Sequence, residues 1–457
     1  MRATLGELFP LPPEDRPADR AARALSVALQ AVVVCAGGAL LLFRVARVPA
    51  WDCIYAEDYG VFLVQALQHP WHLLVPYSGY LQLVPRLIGQ LASLLPLTAA
   101  AAVFAVTGAL IAVGCALFTY HASAGFIRSR RLRAVLGAAL VLLPIAPLEI
   151  AANGVNTPWY IMVALFWAVL WRPRTRAGMA VAAVIAFAAA SSDPLAALYA
   201  PLLIIRGFSL PRLREHAVTA GWLAGWALQV PVIVSTYASH TQRLGAPASF
   251  SEAVAYYFHT VVLRALGWKL SWHLESFAGQ TGATLIVGAF LAVVLGWAMI
   301  TQGRRVRVFV LTAVLTGFVY TVFAAVITTY VVRQTPLLSP VSFEPGSRYS
   351  VVPIVLLEAA AIIAVDAFIR RGVGVAAGTA AVTVRPQAIA ALVALGCVLA
   401  VGWVTDFRYA THRTSDGWWR PVAVAMQTSC EHSRTGTISI RAWDHSHVTV
   451  PCARLRR

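Results

Sequence analysis

Three carboxylates stand close together in an otherwise apolar chain. Asp52, Glu57 and Asp58 lie within the stretch 51–60, directly after the first long apolar segment. Adjacent carboxylates near a low-dielectric boundary repel each other, so one of them is expected to have a raised pKa unless a cation lies close. Such a group can act as a general base on a hydroxyl, and an ionised carboxylate can bind a cation. The alternatives are a solvated acidic loop and, for Asp52, a helix cap.

Arg86 ends a stretch of the same loop that is rich in aromatic residues, including Tyr80. An arginine at a membrane surface can hold a phosphate through two parallel hydrogen bonds. An ion pair with Glu57 or Asp58 is the equally balanced alternative. Tyr80 contributes either to the same site or to the belt of aromatic side chains at a membrane interface.

Arg348 and Tyr349 follow a Gly-Ser pair just before a late apolar segment. Arg348 at this position either contacts a lipid phosphate or snorkels to the lipid headgroups. Asp193 stands directly before Pro194, where it either caps a helix or lines a cavity. Asn156 offers an amide to sugar hydroxyls, although its stretch also suits a tight turn.

Glu358 lies inside an apolar segment of about membrane-spanning length. An acid at that depth is costly and is usually paired or functional. We expect a structural pair, because its position is far from the loops that carry the other candidates.

Composition places these residues in a membrane protein. The 457 residues are 59% hydrophobic and 12% charged, with a mean hydropathy of +0.72, whereas soluble domains carry about 25% charged residues. The net charge of +17 comes almost entirely from arginine, because Lys269 is the only lysine. The arginines cluster in short loops without interleaved stacking aromatics. The charge therefore indicates membrane topology, and no nucleic-acid partner is expected.

Apolar segments predict an all-α polytopic fold with about eleven transmembrane helices. The predicted spans are 24–43, 97–119, 134–151, 158–171, 177–192, 195–205, 217–236, 281–302, 308–331, 349–369 and 387–405. The pair within 177–205 is short for two upright spans. Pro, Gly and aromatic residues in 44–96 favour short helices along the membrane interface.

Arginine clusters fall in every second loop, on the side of the N-terminus, apart from Arg44 and Arg47. The positive-inside rule therefore predicts a cytoplasmic tail at 1–23 and a transmembrane domain at 24–405. It places the outer loops 44–96, 237–280 and 332–348 and a C-terminal tail, 406–457, on the extracytoplasmic side. No cleavable signal peptide is evident before the first span.

Two of the six cysteines, Cys430 and Cys452, lie in that tail, on an oxidising side of the membrane. The segments 437–441 and 447–450 alternate as two short strands. We expect a disulfide that staples a small hairpin or α/β unit. The chain contains no Cys/His zinc spacing.

The layout resembles the GT-C glycosyltransferases, multi-spanning enzymes that use polyprenyl-phosphate sugars. The resemblance rests on Glu57-Asp58, on the stretch from Gly79-Tyr80 to Pro85-Arg86, and on Gly346-Ser347-Arg348-Tyr349. It implies that a catalytic acid lies in the first extracytoplasmic loop, so Asp58 or Glu57 would be the base. It also implies that Arg348 holds the donor phosphate. No Asp-x-Asp metal signature accompanies these motifs, so no cofactor is expected, although a divalent metal stays an open possibility.

The expected function is transfer of a sugar from a polyprenyl-phosphate donor to an envelope glycan or lipid acceptor outside a bacterial cell membrane, by an inverting displacement. A transporter or lipid flippase is one alternative. It would need polar residues through the full membrane depth, and Glu358 alone is placed deeply. A non-catalytic envelope assembly protein that binds a partner through its tail is the other.

Overall fold

A computed structural model of the chain describes residues 6–13, 20–241, 248–327, 347–375, 382–384, 386–408, 418–433, 435–441 and 447–455. Most of the predicted loop 332–348, including Gly346, lies outside these residues. The segment 409–417 and the link 442–446 between the two tail strands also lie outside them.

The described chain is mainly helical. Its α-helices are Arg20–Phe43, Val64–Gln68, Leu83–Ser93, Ala100–Ala122, Arg130–Val141, Ala146–Glu149, Thr157–Leu170, Arg176–Ala190, Ala200–Ser209, Ala217–Thr241, Phe250–Tyr256, Trp268–Thr301, Arg304–Ile327, Val351–Gly372, Pro386–Thr405 and Trp419–His432. Two antiparallel strand pairs accompany them, Val373–Val375 with Val382–Val384 and Thr437–Arg441 with His447–Pro451.

Six of the described helices are long and apolar enough to cross a membrane. They are Ala24–Phe43, Leu97–Gly125, Leu213–Tyr237, Trp268–Thr301, Arg304–Val326 and Ser347–Arg371. The other predicted spans form shorter helices, and the two within 177–205 become Arg176–Ala190 and Pro194–Ser209. A multi-pass, all-α membrane architecture is therefore supported, and the number eleven stays a prediction.

The predicted span 134–151 is not one helix. The helix that begins at Arg130 ends at Val141, and a separate short helix covers Ala146–Glu149. Pro144 lies in the break, where it has no backbone N–H to continue the hydrogen-bond ladder. The break brings Glu149 and the turn that follows it to the end of the helix bundle.

The loops gather at two ends of the bundle. We call the end that holds 44–96, 142–156, 191–193 and 347–350 the site end, because hydrogen bonds and ion pairs join these loops to one another. The opposite end, the basic end, carries most of the arginine clusters and is held by the Arg172–Glu215 ion pair at 2.6 Å. The alternation of loops along the chain thus matches the predicted pattern of arginine-rich and arginine-poor loops.

Arg44 is buried at the site end, where its guanidinium binds backbone carbonyls. Its guanidinium donates to the carbonyl oxygens of Val141 at 2.6 Å and Leu143 at 2.8 Å, and to that of Phe407 at 3.2 Å. Carbonyls left without partners at helix ends and in breaks are good acceptors for such a donor. This structural role explains why an arginine stands at an end that otherwise carries few arginine clusters.

The first loop forms short helices on the site end. A π-helix covers Asp58–Leu63 and continues into Val64–Gln68, and the helix Leu83–Ser93 packs across it. Between them, a tight turn joins Tyr77 to Tyr80, and Ser78 and Gly79 both have positive φ. This left-handed backbone suits a glycine and reverses the chain, which places Tyr80 beside the loop helices.

The tail packs on this loop. Trp419 donates its indole N–H to the carbonyl of Leu97 at 2.8 Å and lies against the Tyr59 ring. A disulfide joins Cys430, at the end of the tail helix, to Cys452, just after the second strand. It therefore ties the helix to the hairpin and does not close the hairpin on itself.

Candidate functional site

Glu57 is the buried acid at the centre of the site end. It stands directly before the π-helix, and 8% of the residue is exposed. One carboxylate oxygen lies 3.8 Å from the Arg348 guanidinium, and the other accepts no hydrogen bond from the residues that the structure describes. Burial raises the pKa of Glu57, and the Arg348 charge opposes that rise. Glu57 thus has an unused acceptor beside a cation.

Arg348 is positioned by a second acid, Glu149. The Arg348 guanidinium lies 2.9 Å from one Glu149 oxygen, and the other oxygen accepts the Arg348 amide at 3.1 Å and the Ser347 hydroxyl at 3.2 Å. Arg348 also lies over the Tyr349 ring at 5.3 Å. The cation is therefore fixed through both its backbone and its side chain, between Glu149 and Glu57.

Glu149 is the site residue that sequence reasoning missed. It lies within the segment assigned to the span 134–151, which hid its position at the bundle end. Two prolines were the available signal, because Pro144 lies in the break and Pro147 lies in the first turn of the short helix that carries Glu149. Its backbone carbonyl accepts the side-chain amides of Asn153 at 2.6 Å and Asn156 at 3.1 Å.

Asp58, the neighbouring acid, holds a turn. Its two oxygens accept the backbone amides of Gly154 at 2.9 Å and Val155 at 2.7 Å, and the residue is fully buried. Charge-assisted bonds of this kind are among the stronger ones in proteins. The arrangement gives Asp58 a positioning role, and the geometry distinguishes it from Glu57.

Asn156 stabilises the same turn through hydrogen bonds. Its side-chain oxygen accepts the Trp159 indole N–H at 3.2 Å, its side-chain nitrogen donates to Glu149, and its amide donates to Asn153 at 3.0 Å. These hydrogen bonds agree with a tight turn, which was one of the two roles that the sequence suggested for Asn156. It positions Glu149 and contributes to the site through that residue.

Tyr80 and Asp193 stand in the electrostatic surroundings of Arg348. Asp193 accepts the Leu195 amide at 2.8 Å, so it caps the helical turn that follows, and burial raises its pKa to about 7. Burial also raises the pKa of Tyr80 well above its usual value, and the Asp193 charge adds to that rise. Tyr349 packs edge to face on Trp159 at 5.0 Å. The Arg348 charge acts on both Asp193 and Tyr80 and opposes the rise of each pKa.

Arg86 lies apart from Glu57 and Asp58, the acids of its alternative interpretation as an ion pair. One nitrogen donates to the Gln65 side chain at 2.8 Å, and the guanidinium lies 5.7 Å from the centre of the Phe62 ring. No carboxylate of the described residues forms an ion pair with it. Of the two interpretations of Arg86, the ion pair with Glu57 or Asp58 is therefore not formed, and the phosphate-binding role stays a prediction.

Glu358 has no partner for either carboxylate oxygen among the described residues. The expected structural pair is wrong, because the helix Val351–Gly372 is surrounded by apolar side chains along most of its length. In the described residues, no group of three or more His, Cys, Asp or Glu side chains could hold a metal ion.

The assembled site can bind an anion and accept a proton side by side. Glu57 supplies a buried base, and Arg348 supplies a fixed cation within ion-pair distance of it. The sequence predicted Glu57, Arg348, Tyr349, Tyr80 and Asp193, and the structure brings these five to one end of the bundle. No protein-family model and no curated protein matches this chain.

Proposed function

We propose that the chain is a membrane glycosyltransferase that moves a sugar from a polyprenyl-phosphate donor to an acceptor hydroxyl of an envelope glycan or lipid. The observation that carries this proposal is the buried Glu57 carboxylate, with one oxygen unused, 3.8 Å from a fixed Arg348. A lipid-linked donor suits a site at the end of apolar helices, because its tail can stay in the bilayer while its phosphate reaches the arginine.

Glu57 acts as the general base in this mechanism. The acceptor oxygen attacks the anomeric carbon while Glu57 takes the hydroxyl proton. The bond between the anomeric carbon and the phosphate oxygen breaks, and its electron pair passes to the phosphate. A single displacement of this kind inverts the anomeric centre.

Arg348 stabilises the charge that develops on the leaving phosphate. The donor phosphate carries one negative charge, and the released polyprenyl phosphate gains another, so a positioned cation favours the later part of the reaction. Glu149 keeps Arg348 oriented when no sugar donor is bound, and Asp58 holds the turn that follows Glu149. Because phosphate is a good leaving group, a general acid is not required.

The proposed orientation puts the site end outside the cell membrane. The arginine clusters at the basic end support a cytoplasmic location for that end. The disulfide between Cys430 and Cys452 supports an oxidising location for the tail that packs on the site end.

The test uses membranes from cells that express the chain, supplied with decaprenyl phosphate that carries radiolabelled mannose, arabinose or glucose. We expect one of these labels to leave the prenyl-phosphate fraction and enter a new glycan or lipid product that control membranes do not form. Label that stays on prenyl phosphate with all three donors would contradict a transferase that uses any of these sugars.

Glu358 favours the transport alternative, because its carboxylate has no partner among the described residues and an unpaired acid inside a span is typical of proton or ion pathways. The same assay separates the two functions. A flippase would move the labelled donor across the bilayer and leave the bond between sugar and phosphate intact.

A further inference from the structure

Arg86 carries a buried positive charge that no carboxylate of the described residues neutralises. Only 5% of the residue is exposed, and two of its three guanidinium nitrogens, Nε and Nη2, are buried and have no hydrogen-bond partner in the part of the chain that the structure describes. The third donates to the neutral side chain of Gln65 at 2.8 Å. Burial lowers the pKa of Arg86 to about 10, so the group stays charged at neutral pH.

The free-energy cost of burying an unpaired charge indicates that Arg86 is suited to bind an anion. A buried charge is normally paired. A buried donor without a partner loses its hydrogen bonds to water and gains none from the protein. Arg264 shows the usual solution in the same chain. It is buried at a comparable level and lies 2.7 Å from the Glu275 carboxylate. Both arginines also lie against an aromatic ring, Phe62 for Arg86 and Trp268 for Arg264, but of the two only Arg264 forms an ion pair with a carboxylate of the described residues.

The position of Arg86 separates it from the Arg348 site. Its partner Gln65 lies in the helix Val64–Gln68, whereas Glu57 stands before the π-helix Asp58–Leu63, and Arg86 forms no ion pair with Glu57 or Glu149 among the described residues. The leaving phosphate of a sugar attacked beside Glu57 lies next to the anomeric carbon. An anion held at Arg86 is therefore a different group from the one held at Arg348.

We infer that Arg86 and Gln65 form a second subsite, which takes a phosphate-type oxyanion. Arg86 offers Nε and Nη2 as a pair of parallel donors, the geometry that matches two oxygens of a phosphate. The inference rests on the proposed function only for the origin of the ligand, which would then be an acceptor that carries a phosphate group. Two sources supply this chemistry, a lipid phosphate in the bilayer and free phosphate in solution.

The test compares thermal unfolding of the full chain in phosphatidylcholine nanodiscs, for the wild type and for the variants Arg86→Met and Arg264→Met. One arm adds inorganic phosphate to the solution, and the other includes farnesyl phosphate in the nanodisc. We expect at least one arm to raise the wild-type midpoint, and we expect that rise to be smaller in Arg86→Met, in which only the Arg348 site can still bind prenyl phosphate. A rise confined to the farnesyl arm assigns the subsite to a lipid phosphate, and a rise with inorganic phosphate assigns it to a free one.

The unfolding midpoints without added phosphate provide an independent readout. Arg86→Met removes an unpaired buried charge, so we expect a higher midpoint than in the wild type. Arg264→Met leaves the Glu275 carboxylate unpaired, so we expect a lower one. The inference is overturned if neither probe stabilises the wild type, if Arg86→Met keeps the full phosphate-dependent rise of the wild type, or if Arg86→Met lowers the midpoint as Arg264→Met does.

A Glu57→Gln variant distinguishes this inference from the proposed function. Glu57 takes no part in the second subsite, so we expect the variant to keep the Arg86-dependent rise even though sugar transfer is lost. If phosphate raises the unfolding midpoint through Arg86 but the wild type shows no transferase activity, the second subsite is supported and only the proposed reaction is contradicted.

Discussion

Glu57 and Asp58 are neighbours in the chain, yet different groups surround their oxygens. The Glu57 carboxylate has one oxygen near Arg348 and one that accepts no hydrogen bond from the described residues. Both Asp58 oxygens accept backbone amides of the turn at Gly154. The adjacent acids thus differ in their surroundings, which supports Glu57 as the proposed base and Asp58 as a structural group, a choice that the sequence alone left open.

The variant Asp58→Asn tests the structural role of Asp58. An asparagine oxygen can accept one of the two amides, and its NH₂ group cannot accept the other, so one buried N–H loses its partner. We expect the free energy of unfolding to fall by about 1–3 kcal/mol. Thermal unfolding of the purified variant measures this loss. A variant as stable as the wild type would show that the two amide bonds contribute little.

The pH dependence of transfer tests the proposed base. Glu57 must be ionised to accept a proton, so we expect the rate to fall as the pH is lowered through its pKa. Burial raises this pKa above the usual value of 4.5, and the Arg348 charge holds the rise in check. Arg348→Gln should therefore move the acidic limb of the kcat/KM profile to higher pH. An unmoved limb would assign it to another group.

At the scale of elements, the site depends on a close approach between a helix and a turn. A side chain added at Gly108, on the helix Ala100–Ala122, would collide with the backbone carbonyl of Asn153. That turn carries the amides that bind Asp58 and lies directly after Glu149. Only a glycine allows the helix to pack this closely against it.

Gly108→Ala is expected to destabilise the protein by about 1–3 kcal/mol, because the helix and the turn must move apart. Gly114→Ala is the matched control, since a methyl group there meets no atom within 4 Å on the same helix. Thermal unfolding of the two variants provides the comparison. Equal midpoints for both would contradict the tight packing of this turn.

Local signals predicted many of these elements, and contacts between distant segments decided the rest. Apolar length predicted the main helices, and alternation predicted the tail strands at 437–441 and 447–450. The break at Pro144 was missed because the segment around it is apolar enough to resemble one continuous span. Glu149 was missed with it, since its role depends on Arg348, which is 199 residues away in the chain. Pairing over such separations leaves no periodic signal in one sequence.

At the scale of the whole molecule, the charge pattern predicts the orientation in the membrane. The arginine clusters gather at the basic end, and the tail and the first loop pack together at the site end. Arg44 does not conflict with this pattern, because it is buried and bound to backbone carbonyls.

Cysteine labelling in intact cells tests this orientation. Arg420, in the tail helix, and Arg214, at the basic end, are both exposed. We expect a membrane-impermeant maleimide to label Arg420→Cys in intact cells, and to label Arg214→Cys only after the membrane is permeabilised. The wild type, with its native cysteines, provides the background. The reverse pattern would place the site end in the cytoplasm and contradict the envelope acceptor.

Sugar transfer by Glu57→Gln is the most direct test of the proposed mechanism. The matched control is Glu431→Gln, which makes the same change at an exposed position in the tail helix. With the donor that the wild type uses, we expect Glu57→Gln to lose about 100-fold or more of the transfer rate, as for loss of a general base. The control should keep the wild-type rate, and both variants should unfold at or above the wild-type midpoint. Wild-type transfer by a folded Glu57→Gln protein would contradict the assignment of Glu57 as the base.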